Sequence, residues 1–441
     1  MAATSVPQLI AYAETVGYAG YRGLATAGPP LAAWGIVTGS PFMNAGVTSI
    51  TALMAKSDLD GEAYVARYGE EAYVDLVAAY SLYIGLASVV LALIGFGKLA
   101  KWVPQPVRSG FKWGCAVGVL VSAVPNGFFA LGGSELKQYV AESTLRDLVA
   151  PFQAAFPGLP NVTNFIFALI HPNMWGLEPT IMFVLGTAFI MEGKTYLPRF
   201  LPPGTEVILV TAAATAYSVL YNYSGGVVGE IPALDPDAGI FFGGLRIPVE
   251  VVDVRKLVTE VPIVTQFGGS WFMLALSASI FAGVNFLSVM GIASGFENED
   301  GIPWNAEREL IAQGVSCGVA AAVGSAPVSG SMSRSLVSRM TGTTSQLACI
   351  LTALCWIYLQ PYMSIMTPTP KAALSAVIVS AVLKGIAFPK DLLKLRGVDS
   401  VIGWGTGLIT AVTSPTQGFG AGLALFAILN KFRSSAKEKY S

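Results

Sequence analysis

Two short stretches hold most of the residues with binding chemistry. One reads Asn44-Ala-Gly-Val-Thr-Ser49, the other Pro327-Val-Ser-Gly-Ser-Met-Ser-Arg334. Both read as extended chain running into a short helix. A helix start carries unpaired N–H groups and roughly half a positive charge. Two such ends facing each other supply about one positive charge and a ring of donors, which suits an anion without any basic side chain. The hydroxyls of Thr48, Ser49, Ser329, Ser331 and Ser333 add donors, although small hydroxyl residues also serve ordinary helix packing. Arg334 is the sharper signal. An arginine inside a membrane segment costs about 2.5–3.5 kcal/mol on insertion scales and is normally kept for a partner or a substrate. The competing reading lets Arg334 snorkel to the surface, as expected of Arg339. Near the start of the chain, Gln8 offers an amide to an oxyanion, and Tyr12 lies one turn further on the same face. An interhelical hydrogen bond is the alternative for that pair.

The elements that must position these residues are membrane segments. Of the 441 residues, 53% are hydrophobic and 12% charged. A soluble domain carries about twice that charged fraction, and soluble cores stop growing near 250–300 residues, so lipid must solvate much of this surface. The apolar runs 74–96, 111–131 and 271–296 each reach the ~20 residues that a bilayer crossing requires. The whole chain divides into about fourteen segments. The first seven are 6–19, 23–39, 45–55, 74–96, 111–131, one around 181–191, and 207–221. The second seven are 271–296, 310–323, 331–340, 347–359, 372–386, 401–412 and 418–429. A long polar connection is expected from 132 to about 172, holding an interfacial helix over 135–156, and a second long loop reaches about 262. Each half has a short, Gly/Pro-flanked third member. Such paired broken segments are the sequence pointer to an inverted-repeat transporter with its site at mid-membrane, where irregular backbone is tolerated beside a protein-lined cavity. Lys98, Lys101, Arg108 and Lys112, then Lys390, Lys394 and Arg396, then Lys431, Arg433, Lys437 and Lys439, all fall on one side under this division. The positive-inside rule makes that side cytoplasmic and the acidic loop 56–71 external.

Other chemistries find little support. A net charge of −1 leaves no basic footprint for nucleic acid. The single histidine, His171, sits in a loop-like His-Pro-Asn. Cys115, Cys317, Cys349 and Cys355 lie in apolar runs without metal-ligand spacing and read as packing thiols. No nucleophile–base pairing suggests an enzyme, and no metal or cofactor is expected.

The motifs resemble those of the sulfate permease family. Val6-Pro-Gln-Leu-Ile-Ala-Tyr-Ala13 resembles its first-helix motif, Pro106-Val-Arg-Ser-Gly-Phe111 the start of its fifth helix, and Val228-Gly-Glu-Ile-Pro232 its extracellular Gly-Glu-Ile-Pro. Glu309-Leu-Ile-Ala-Gln-Gly314, Gly330-Ser-Met-Ser-Arg334 and Pro370-Lys-Ala-Ala-Leu374 resemble its ninth, tenth and twelfth helices. The resemblance implies an all-α polytopic protein, a seven-plus-seven inverted repeat with core and gate domains. The transporter domain would span 1–432, with repeats of about 1–225 and 262–432, before a short tail at 433–441. It implies a secondary transporter for a small inorganic anion, sulfate first, with a bicarbonate/chloride exchanger or a channel-like pathway as the alternative. A homodimer is a further option. Carried over by position, the site comprises Gln8, Tyr12, Val47, Thr48, Ser49, Ser331, Met332, Ser333 and Arg334. Three departures stand out. The chain starts near the middle of the family's first helix. It stops about ten residues after its last span, so the family's cytoplasmic STAS domain is expected to be absent. The eighth helix lacks the family's usual acidic residue, leaving Asn285 and Ser288 as its polar candidates and putting cation coupling in doubt.

Overall fold

The computed structural model describes residues 2–100, 103–129, 159–198, 201, 204–229, 231, 240–242, 245–301, 303–340, 342–413 and 415–440. The helices of the first half include α1 (Ala2–Val16), α2 (Pro29–Val37), α3 (Ser49–Asp58), α4 (Glu70–Leu93), α5 (Gln105–Phe128), α6 (Leu177–Tyr196) and α7 (Thr205–Tyr221), besides Gly61–Tyr68, Phe96–Ala100 and Leu159–Ile170. The second half carries α8 (Trp271–Asp300), α9 (Ala306–Ala322), α10 (Met332–Met340), α11 (Leu347–Leu359), α12 (Lys371–Ala387), α13 (Val398–Val412) and α14 (Pro415–Tyr440). Among the described residues, five helical stretches are long and apolar enough to cross a membrane: Glu70–Leu93, Gln105–Phe128, Trp271–Ala293, Leu347–Met366 and Lys371–Leu393.

Local sequence explains where these helices begin and how they pack. Gly69, at φ 85°, turns the chain into α4, and Glu70 and Glu71 place negative charge in its positive first turn. Along α4, Tyr73, Val77, Tyr80, Ile84 and Ser88 are buried, whereas Leu86, Val90 and Leu93 stay exposed, as a lipid-facing side would be. Helices approach closely through glycine. A side chain on Gly110 or Gly114 of α5 would collide with the carbonyl of Gly403 or Gly407 on α13. Gly85 of α4 and Gly314 of α9 face each other in the same way. Without a hydrophobic drive between helices in lipid, this backbone proximity supplies the packing contact.

The helices form two groups. In one, α9 packs on α4 and α2, α2 on α11, and α8 on α4. In the other, α5 packs on α13, α12 and α14, and α6 on α12 and α7. Helix α1 joins them, packing on α3 and also on α12 and α7.

Several expectations change. The second segment, read as one run over 23–39, is a 3-10 stretch, Gly20–Ala27, followed by α2. Pro29 and Pro30 explain the break, because proline is favoured in a helix's first turn and not in its interior. The polar connection expected up to 172 holds an apolar helix, Leu159–Ile170, packed on α5. Its run Phe165-Ile-Phe-Ala-Leu-Ile170 was hidden by the polar residues before it. Beyond it, Trp175 stacks on Phe128 at 4.0 Å. The interfacial helix expected over 135–156 lies outside the described residues. The second long loop contains a hairpin of Ile240–Phe242 with Leu245–Ile247 and short helices Val254–Thr259 and Ile263–Gln266.

Candidate functional site

The two leads into α3 and α10 pair with each other. Strand β1 (Ala45–Gly46) lies antiparallel to β2 (Ser329–Gly330), with Ala45 opposite Gly330 and Gly46 opposite Ser329. The Asn44 carbonyl accepts from the Ser331 N–H at 2.8 Å, and the Asn44 N–H donates to Ser335 Oγ at 3.0 Å. Short polar runs rich in glycine and serine hold no helix of their own, so their backbone groups satisfy one another across the ribbon. Two short helices thus start side by side.

Each start is prepared differently. Thr48 caps α3 in extended geometry and forms a capping box with Thr51. Its Oγ1 accepts from the Thr51 N–H at 3.3 Å, while Thr51 Oγ1 accepts from the Thr48 N–H at 2.9 Å. The Thr48 oxygen thus serves the cap as an acceptor. The N–H groups of Ser49 and Ile50, in the first turn, have no intrahelical acceptor. The lead into α10 is clamped from several sides. Ser81 Oγ donates to the Ser325 carbonyl at 2.8 Å, and the Ala326 N–H donates to the Tyr18 hydroxyl at 3.1 Å. Asn285 Nδ2 and Cys317 Sγ both donate to the Val328 carbonyl, at 2.9 and 3.4 Å.

Arg334 lies in the first turn of α10, 3% exposed. Burial rules out snorkelling. Its Nη2 donates to the Val47 carbonyl at 3.1 Å, but Nε and Nη1 have no hydrogen-bond partner. Tyr12 is buried close to Ser49 and Arg334. Gln8 is buried one turn earlier on α1. Tyr12, Val47, Ser49 and Arg334 are thus brought together, with Ser331 buried at the start of α10.

Other predicted residues stand further out. The Met332 side chain is exposed, so only its backbone adjoins the helix start. The Ser333 side chain lies outside the described residues. Asn285 acts on the α10 lead through Val328, and its buried Oδ1 has no partner. Ser288, one turn on, is half-buried. Sequence reasoning missed Thr26, whose Oγ1 accepts from the Val47 N–H at 3.3 Å and donates to the Gly23 carbonyl at 2.7 Å. It also missed Glu309, buried on α9, which accepts from Thr38 Oγ1 and the Gly39 N–H, both at 2.8 Å, and fixes the chain between α2 and β1. The quoted motif containing Glu309 was the available signal; Thr26 had none. Cys317 and Cys349 are more than packing thiols. Cys349 Sγ donates to the Met43 carbonyl at 3.1 Å, so one thiol steadies each lead.

The arrangement presents donors and positive charge: unpaired guanidinium nitrogens, a phenol, and helix-start amides. Among the described residues, no group of three His, Cys, Asp or Glu side chains could hold a metal. The profile of the sulfate permease family matches residues 1–404. The chain belongs to this family. As a sulfate permease family protein it is an integral multi-pass membrane protein of a transporter family, not an enzyme. It is 26% identical over 401 residues to a probable sulfate transporter of Mycobacterium tuberculosis, a match over 90% of this chain and 61% of that protein. The chain thus spans about three fifths of that relative's length. Its fold is similar to that of murine solute carrier 26 member A9, an anion transporter described in the inward-facing state, with TM-score 0.73 and 18% identity over 98% of this chain and 67% of the other. It is also similar to the transmembrane domain of the cyanobacterial bicarbonate transporter BicA, with TM-score 0.71 and 14% identity over 95% of this chain and 94% of the other.

Proposed function

We propose that this chain is a secondary carrier moving a small inorganic anion, sulfate first, by alternating access. One observation carries the reading. A guanidinium is buried where two half-helices begin, and two of its nitrogens have no protein partner. Leaving buried donors unmatched costs free energy, so the group is kept for a ligand that comes and goes. Two helix starts plus Arg334 sum to about two positive charges, which matches a divalent oxyanion. In this reading the anion contacts Gln8, Tyr12, Val47, Thr48, Ser49, Ser331, Met332, Ser333 and Arg334, with Asn285 and Ser288 behind them.

The same proposal takes the chain as about fourteen segments in a seven-plus-seven inverted repeat. The α2–α4–α8–α9–α11 group is the core, and the α5–α6–α7–α12–α13–α14 group is the gate. Half-helices α3 and α10 are third in their respective halves. The basic loops after α4 and α12 face the cytoplasm. The second reading, anion exchange or an uncoupled pathway, is favoured by one residue. Asn285 stands where a carboxylate would be needed to hold a coupling cation.

Radiolabelled sulfate, bicarbonate and chloride uptake into liposomes tests both readings, with the internal anion, the proton gradient and the sodium gradient varied separately. Saturable sulfate uptake supports the first. Uptake that needs a counter-anion and ignores both gradients supports the second. No saturable uptake of any small anion sinks both.

A further inference from the structure

Glu14 and Lys371 form an ion pair of 3.3 Å between α1 and α12. Helix α1 packs on both groups, whereas α12 belongs to the group of α5 and α13. The Lys371 N–H donates to the Gly226 carbonyl at 2.9 Å, and Val228 donates to Thr369 at 3.0 Å. Val227 and Pro370 form a bridge beside them, so the start of α12 is stitched to the chain leaving α7. Glu14 lies near the end of α1, the helix that carries Gln8 and Tyr12 and packs on α3. The ion pair therefore ties the helix carrying Gln8 and Tyr12 to the start of α12.

A lysine at the first position of a helix opposes the helix dipole, and Glu14 supplies the counter-charge from outside that helix. The pair is not sealed inside the protein: the Glu14 and Lys371 side chains are 18% and 36% exposed. A contact of this kind can be dissolved and remade. It sits at the mouth where α1 ends and α12 begins, away from the opposite mouth where α12 ends at Ala387.

We propose that Glu14 and Lys371 form a latch that closes the α1–α12 seam at this mouth and must open before α1 and the anion site can move relative to α12. This rests on the alternating-access reading above. Opening the latch by substitution would raise the population of the state open at this mouth, and apparent affinity from that side would rise by the same factor.

The test uses the full chain in liposomes. Glu14→Gln and Lys371→Gln are compared with the charge-exchanged pair Glu14→Lys with Lys371→Glu. A cysteine introduced at Thr15, in a Cys355→Ser background, reports access to a membrane-impermeant maleimide. Each single variant is expected to raise labelling several-fold and lower the half-saturating external sulfate by a similar factor, and the exchanged pair is expected to restore both. A separate Glu14→Cys with Lys371→Cys protein, bridged by a short bifunctional maleimide that spans the length of the two lost side chains, should lose uptake in proportion to the fraction bridged. Unchanged labelling in both single variants, or full uptake by the bridged pair, overturns the latch. Labelling does not depend on which anion is carried. A labelling response without uptake of any anion therefore supports the latch and counts against the carrier reading alone.

Discussion

Replacing Arg334 by glutamine tests the site most directly, because binding and stability should move in opposite directions. The wild-type guanidinium spends one nitrogen on the Val47 carbonyl and leaves Nε and Nη1 unmatched. Hydrogen bonds to charged groups contribute about 1.5–3 kcal/mol net each. Two bonds to an oxyanion, partly offset by water that fills the gap, give about 3 kcal/mol, and at about 1.4 kcal/mol per factor of ten this is roughly a hundredfold loss of affinity. The empty protein behaves differently. It loses one bond to Val47 but is relieved of a buried charge, so its thermal stability in detergent should stay equal to the parent's or exceed it. Arg334→Lys keeps the charge without the fork and should fall between, at about tenfold. The assay is sulfate uptake in liposomes over a wide concentration range, with unfolding temperature measured on the same preparations. A correctly inserted, stable Arg334→Gln protein with unchanged half-saturation would refute the assignment. So would a loss of uptake that simply tracked a loss of stability.

Gly46→Ala would place a methyl carbon 3.0 Å from Arg334 Nη2 and 3.4 Å from Leu9 Cδ2, so it should displace the guanidinium and weaken sulfate affinity several-fold while insertion stays normal; equal half-saturation would count against the position assigned to Arg334. Asn285→Asp puts a carboxylate beside the Val328 carbonyl, and burial favours its neutral form. Uptake should therefore recover as pH falls and the acid is protonated, and weaken as pH rises; a pH profile matching the parent's would contradict this. Glu309→Gln removes the charge that holds Thr38 and Gly39, and should lower stability by about 1–3 kcal/mol, read as a reduced unfolding temperature.

Much of this was legible from residue order. Runs such as 74–96 betray themselves by length and apolarity alone, and the short third segments stood out because Gly and Pro flank them. The chain before α2 was not legible as a 3-10 stretch, since an apolar Gly/Ala run has the same hydropathy in either helix. The helix Leu159–Ile170 was masked by Asn161 and Asn164 in its first turns. The residues proposed for the anion site stand out in the sequence, but their joinery does not. Val47 and Arg334 meet across 287 positions, and a two-rung ribbon has no periodicity to detect. Thr26 is one more threonine until Val47 is placed against it. The Thr48 capping box is equally illegible, because a hydroxyl before a helix looks the same whether it faces a ligand or closes its own cap.

The ribbon also sets an order of manufacture. Asn44 and its neighbours leave the ribosome long before Ser329–Ser335 exist, and they reach the membrane with their pairing groups unmet. Closing so distant a contact is slow, because the entropy of the intervening loop must be overcome first. Until β2 arrives, the first half holds an unfinished edge at membrane depth. The proposed anion seat is therefore among the last parts of the protein to be completed, and a chain halted before α10 is made lacks one of its two walls.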